Sequence, residues 1–175
     1  MSTRSSQLSV YWQHFLKYRP LIRELVSRDL KVKYRRSFLG YVWSILNPLL
    51  MMILQTIIFS YMFRSNIPNY PLYLLCGNTL FTFFNESANM GLLSIIGNAA
   101  LIKKVYIPKF IFPLSRVCSS FVTMSFSLAA VLLVMIFTGS PLYWTILLFW
   151  VPLVFELMFC CGFALLLAAL TVYFR

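Results

Sequence analysis

Negative charge is nearly missing from this chain. Its 175 residues hold four Asp and Glu against fifteen Lys and Arg, with a single histidine, His14. General acid–base and nucleophilic catalysis need such groups within reach of one another, so a bond-breaking site is hard to assemble and no catalytic residue is assigned. The motifs that would supply one by another route are missing too: there is no GxxxxGK(S/T) phosphate loop, no HExxH and no GxSxG. The four cysteines, Cys76, Cys118, Cys160 and Cys161, lie in apolar runs without metal-ligand spacing. They read as small packing residues, and neither a metal site nor a disulfide frame is expected. The first 36 residues carry nine basic residues and no apolar core for a cleaved signal peptide, so the mature protein is expected to keep its N-terminus. Charge of both signs together makes up only 11% of the chain, against roughly 25% in a soluble domain.

What fills the space instead is apolar: 61% hydrophobic, with 18% aromatic. These residues fall in four runs, at about 39–63, 72–96, 110–137 and 144–174. Each reaches the roughly 20 residues that a helix needs to cross the hydrocarbon core, whereas barrel strands would give short alternating segments. The pattern predicts an all-α integral membrane protein with four transmembrane helices after a cytoplasmic arm, 1–37. Nine Lys and Arg precede the first run, three lie between the second and third (Lys103, Lys104, Lys109), and Arg175 follows the fourth. The connection between the first and second holds only Arg64, and the turn beginning at Thr138 holds none. By the positive-inside rule both termini face the cytoplasm. The net charge of +11 is then mostly topological, and no nucleic-acid partner is expected.

The arm has a pattern of its own. From Leu21, the residues Leu21, Ile22, Leu25, Val26, Leu30 and Val32 share one broad side of a helical wheel, with Glu24, Arg28, Lys31 and Arg35 opposite. That spacing predicts an amphipathic helix lying in the membrane interface. Pro20 is expected to break it from an earlier aromatic segment containing Tyr11, Trp12, Phe15 and Tyr18. The same charges suit an anionic headgroup, which makes Arg28, Lys31, Lys33, Arg35 and Arg36 candidate contacts for substrate or membrane lipid.

Polar groups inside the apolar runs need partners or water. In the second run Asn78, Thr82, Asn85 and Asn89 recur at intervals of four, three and four, with Glu86 beside them. Two readings of this stripe stand: interhelical hydrogen bonding or the lining of a solute path. Glu86 and Arg116 lie roughly 15 Å and roughly 9 Å, at helical rise, from the inner ends of adjacent runs, within approach of each other, and pairing would lower the burial cost of each. Glu156, near the middle of the fourth run, has no evident basic partner in sequence. Between the second and third runs, the segment 97–109 offers Ala99, Leu101, Ile102, Val105 and Tyr106 as apolar anchors, rimmed by Lys103 and Lys104. Such a short amphipathic segment suits the groove of a partner protein.

Two blocks resemble a known family. In RDLKVKYRRSFLGYVWSILNPLL, the residues Arg28, Asp29, Leu30, Lys31, Lys33, Tyr34, Arg35, Ser37, Leu39, Gly40, Trp43, Asn47 and Pro48 are similar to the junction between interfacial helix and first span in type-2 ABC exporters of polysaccharides. From NYPLYLLCGNTLFTFFNES to NAALIKKVYIPKFIFPLSR, the matching residues are Gly77, Phe84, Asn98, Leu101, Lys103, Lys104, Val105, Pro108 and Pro113. The family includes the permeases for O-antigen, capsule and teichoic acid. The resemblance implies a homodimeric permease in the bacterial inner membrane, working with two copies of a separate ABC ATPase subunit that holds ATP and Mg, and passing a lipid-linked polysaccharide outward. It also implies that Asn98, Leu101, Ile102, Lys103, Lys104, Val105 and Tyr106 form the segment that docks on the ATPase. The family has six spans, and this chain ends at TVYFR after four, so it looks truncated. Family members often have Trp near Phe81. A type-2 ABC permease for drugs or another lipid is the near alternative, with an integral-membrane enzyme acting on lipid-linked glycans or a purely structural membrane subunit further off.

Overall fold

The computed structural model describes residues 3–34, 40–63, 69–104, 107–137, 139 and 148–174. All regular structure among them is helical: α1 (Thr3–Tyr34), α2 (Gly40–Phe63), α3 (Tyr70–Leu92), α4 (Ser94–Gly97), α5 (Ala99–Ile102), α6 (Ile111–Phe137) and α7 (Trp150–Tyr173). The four long apolar runs thus become α2, α3, α6 and α7. Helices α6 and α7 are long and apolar enough to cross a membrane, with mean hydropathies of 2.3 and 2.4. Helix α2 carries Asn47, Gln55 and Thr56 among its apolar residues, and α3 is diluted by its polar stripe.

Three helices make the core. Phe83 of α3, Val117 and Met124 of α6, and Leu153, Cys160 and Ala164 of α7 form one buried cluster. Along α3 the buried residues recur every four positions, Leu75, Thr79, Phe83, Ser87 and Gly91, and beyond Phe83 they become smaller toward its C-terminal end. That taper lets α7 close in. A Cβ added to Gly91 would lie 2.7 Å from Ala164 Cβ, so only glycine fits there. Helix α2 packs against α3 and α6, and α1 lies mainly along α6. The outer surfaces of α2 and α7 expose large apolar side chains, among them Ile57, Phe155, Met158 and Leu166, as a face toward hydrocarbon requires.

Several expectations change. Pro20 does not break the arm, because α1 runs through it as one helix of 32 residues. A proline inside a helix costs about 3 kcal/mol. Here Tyr18 before it and Leu21, Ile22 and Leu25 after it pack in a single cluster with Ile111 and Phe112, which offsets the loss. Those same contacts turn the apolar face of α1 onto protein at the base of α6, while Val32 stays 69% exposed. The second run, expected to continue to 96, ends as α3 at Leu92. Ser94 Oγ donates to Gly91 O at 2.6 Å, and the chain turns into α4. The aromatic side chains Tyr11, Trp12 and Phe15 lie outside the described residues.

Candidate functional site

The polar chemistry concentrates where the C-terminal half of α1 meets the C-terminal part of α3 and the N-terminal half of α6. Asp29 is the hub. Its side chain is 6% exposed and lies between two cations, with Oδ2 3.0 Å from Arg116 Nη1 and Oδ1 3.2 Å from Arg28 Nη2. Arg28 Nη2 also donates to Asn98 Oδ1 at 3.0 Å, and Asn98 Nδ2 donates to Ser94 O at 2.8 Å. Both ends of the Asn98 amide are therefore used, and they fix the junction between α4 and α5 against the arm. One turn further along α1, Lys33 Nζ donates to Glu86 Oε1 and, at 3.4 Å, to Thr123 Oγ1. Within six residues α1 is tied to α3, to the α4–α5 junction and to α6.

Above this latch lies a cavity of about 400 Å³. Its walls come from Lys33 and Tyr34 of α1, from Trp43, Asn47, Pro48, Met51 and Gln55 of α2, from Asn78, Thr79, Thr82 and Glu86 of α3, and from Thr123 and Ser127 of α6. Amides and hydroxyls share the lining with Tyr34, Trp43, Pro48 and Met51, and most of its surface is apolar; polar groups in such a setting need partners or water. Gln55 Oε1 is buried and has no hydrogen-bond partner among the described residues. Buried amide oxygens are rarely left so.

The structure divides the sequence-predicted residues. Asn78, Thr82 and Glu86 line the cavity together with Lys33, so the arm and the polar stripe meet in one site. Asn85 and Asn89 are exposed and bond to each other, Nδ2 of Asn89 to Oδ1 of Asn85 at 2.8 Å. A pairing of Glu86 with Arg116 does not form. Each finds its partner on α1 instead, because the arm docks between them. Lys31 is exposed, and Arg35 and Arg36 lie outside the described residues. In the segment 97–109, Leu101 and Ile102 pack inward on Leu25, Ile111 and Phe112, whereas Ala99, Ala100, Lys103 and Lys104 are exposed. Val105 and Tyr106 lie outside the described residues. Glu156 is partly exposed on α7 and makes no hydrogen bond or ion pair among the described residues.

Sequence reasoning missed Asp29, Gln55, Thr123 and Ser127 as site residues. The lone acid in a basic run was a signal for the first. Ser115, Ser119, Thr123 and Ser127 at four-residue spacing were a signal for the hydroxyl wall of α6.

Residues 20–175 match the family described as ABC-2 type transporter. The chain belongs to the ABC-2 type transporter family. It is 35% identical over 159 residues to the O-antigen export system permease protein RfbA of Myxococcus xanthus, covering 91% of this chain and 61% of that protein. To a protein of the same description from Klebsiella pneumoniae it is 33% identical over 160 residues, covering 89% of this chain and 60% of the relative. The chain thus spans about three-fifths of the length of these relatives. The match to the ABC-2 family begins at Pro20 and so takes in the latch, the cavity and the α4–α5 junction.

Proposed function

We propose that this chain is the membrane-spanning permease subunit of an ATP-driven ABC exporter that moves lipid-linked polysaccharide, of the O-antigen, capsule or teichoic-acid kind, outward across the bacterial inner membrane. The relatives' description as O-antigen export permeases supports the class of cargo. The observation that carries a transport role is the polar cavity sitting directly above a latch that reaches the α4–α5 junction. In this reading α2, α3, α6 and α7 are four spans, both termini are cytoplasmic, and two copies of the chain make the path. ATP and Mg belong to two copies of a separate ATPase subunit, and the chain itself performs no chemistry.

The docking surface on that ATPase is the exposed side of α5 and the turn after it, Ala99, Ala100, Lys103 and Lys104. Leu101 and Ile102 hold this surface to the bundle from behind. Co-purification with an ABC ATPase co-expressed with this chain tests the assignment. The pair Lys103→Glu with Lys104→Glu is expected to release the ATPase while the permease keeps its melting temperature. Leu101→Asp is expected to lower the melting temperature first, because it puts a charge among Leu25, Ile111 and Phe112. Normal ATPase stoichiometry in the double lysine variant refutes the surface. Disrupting the gene should make a lipid-linked glycan accumulate inside the cell; accumulation of a different lipid or of a drug would replace the polysaccharide reading.

A further inference from the structure

From the cavity's charge and lining we infer that it is a subsite for an uncharged sugar ring of the cargo, and that the phosphate of a lipid-linked glycan is excluded from it. This deepens the exporter reading and rests on it for the class of cargo. A basic arm beside a cavity suggests anion binding, but the contacts point the other way. Lys33, the cation of the lining, is committed to Glu86, so the described charges of the cavity sum to zero. A phosphate entering would have to displace a carboxylate already in place and leave it unpaired, partly buried at 19% exposure.

The remaining groups match a polyol. Asn47, Gln55, Asn78 and Thr82 come from two facing helices, and amides and hydroxyls both donate and accept, as sugar hydroxyls do. Gln55 lines the cavity from α2, and its Oε1 has no hydrogen-bond partner among the described residues. Trp43 is 53% exposed at the rim, and its electron-rich ring face suits the weakly positive C–H face of a pyranose. A volume of about 400 Å³ falls at the small end of the roughly 300–1,000 Å³ range of ligand sites. The apolar share of the lining meets the C–H faces of the ring and the amides of Asn47 and Asn78 meet its hydroxyls, whereas an acyl chain could use only the former.

The test uses the full chain in lipid nanodiscs and saturation-transfer-difference NMR. The probes are methyl glycosides of glucose, galactose, mannose, rhamnose and N-acetylglucosamine, and separately inorganic pyrophosphate followed by phosphorus line broadening. At least one glycoside is expected to bind, and Gln55→Leu and Thr82→Val should each weaken it about three- to tenfold without lowering the melting temperature. Wild-type protein should not broaden pyrophosphate through this site. Glu86→Gln, which frees Lys33, should create such broadening, and adding Lys33→Met should abolish it. The inference is overturned if no glycoside binds, if binding is unchanged in both lining variants, or if wild-type pyrophosphate broadening disappears in Lys33→Met. ATPase co-purification is untouched by any of these outcomes, so failure of the sugar site and failure of the exporter reading are separately visible.

Discussion

The closeness of α3 and α7 gives a prediction in which two effects of one substitution oppose each other. Replacing glycine inside a helix should stabilise it, by up to about 1 kcal/mol when alanine is introduced and by less for valine. At Gly91 the new Cβ would sit 2.7 Å from Ala164 Cβ and 3.0 Å from its Cα. Neither atom belongs to a flexible side chain that can swing away. Overpacking of a tight core costs about 1–3 kcal/mol, and valine adds two methyl groups beyond the Cβ, so Gly91→Val should lose about 2–3 kcal/mol net. For a chain of this length that is about 4–12 °C of melting temperature, measured on purified protein in detergent by intrinsic fluorescence. Gly77 lies in the same helix and a Cβ there would meet nothing within 4 Å. Gly77→Val therefore carries the same propensity change without the clash and should melt at or above wild type. Adding Ala164→Gly to Gly91→Val removes the Cβ on the other side and should recover part of the loss. If Gly91→Val melts as high as Gly77→Val, the helices do not approach as described and the reasoning fails.

The ion pair at the cavity floor gives a second test. Exposed pairs are worth about 0–1 kcal/mol, and breaking a buried one costs about 3–5 kcal/mol. Lys33 and Glu86, with side chains 35% and 19% exposed, fall between, so Lys33→Met should cost about 1–3 kcal/mol in thermal unfolding. The reversed pair Lys33→Glu with Glu86→Lys should regain at least half, and no recovery would mean that the two do not act on each other. At the hub, Arg116→Ala leaves the buried Asp29 with Arg28 alone and loosens α1 from α6. Amide hydrogen exchange should quicken in α1 from Arg28 to Tyr34 and stay unchanged in α7; unchanged exchange in α1 refutes the hub.

How far the sequence reached differs by kind of feature. The long helices read well because their apolar runs are detected by any window, and α2, α6 and α7 begin or end close to the expected limits; α6 and α7 are long and apolar enough to cross a membrane. Amphipathicity in the arm was also legible, but its partner was not. Leu21, Ile22 and Leu25 satisfy a lipid interface and a protein cluster equally, and only the arrival of Ile111 and Phe112 distinguishes them. Pro20 misled for a related reason: local propensity was overridden by packing on both sides of it. Of the polar stripe on α3, Asn78 and Thr82 line the cavity, with Glu86 beside them. Periodicity along one helix says nothing about what stands opposite, so it did not separate Asn78 and Thr82, which find α2 and α6, from Asn85 and Asn89, which do not. Glu86 and Arg116 show the same limit, since adjacent runs put them within approach of each other and the arm came between.

The basic arm divides into two populations once its contacts are known. Arg28 and Lys33 are spent inside the protein, on Asp29, Asn98 and Glu86, and so are unavailable to a headgroup while the latch holds. Arg19, Arg23 and Lys31 are exposed and can draw on the attraction of an anionic leaflet, worth about 1 kcal/mol for each cation near the surface. One helix thereby faces two ways: its outer cations answer to lipid and salt, and its inner cations answer to the geometry of α3, α6 and the α4–α5 junction. A displacement of that junction removes the acceptor of Arg28 at Asn98 and returns the guanidinium to Asp29 alone. Because Lys33 lies on the same rigid helix, any rotation of α1 that follows shifts the ion pair at the cavity floor. A charge pattern first legible as topology thus also joins the α4–α5 junction to the floor of the cavity through one helix.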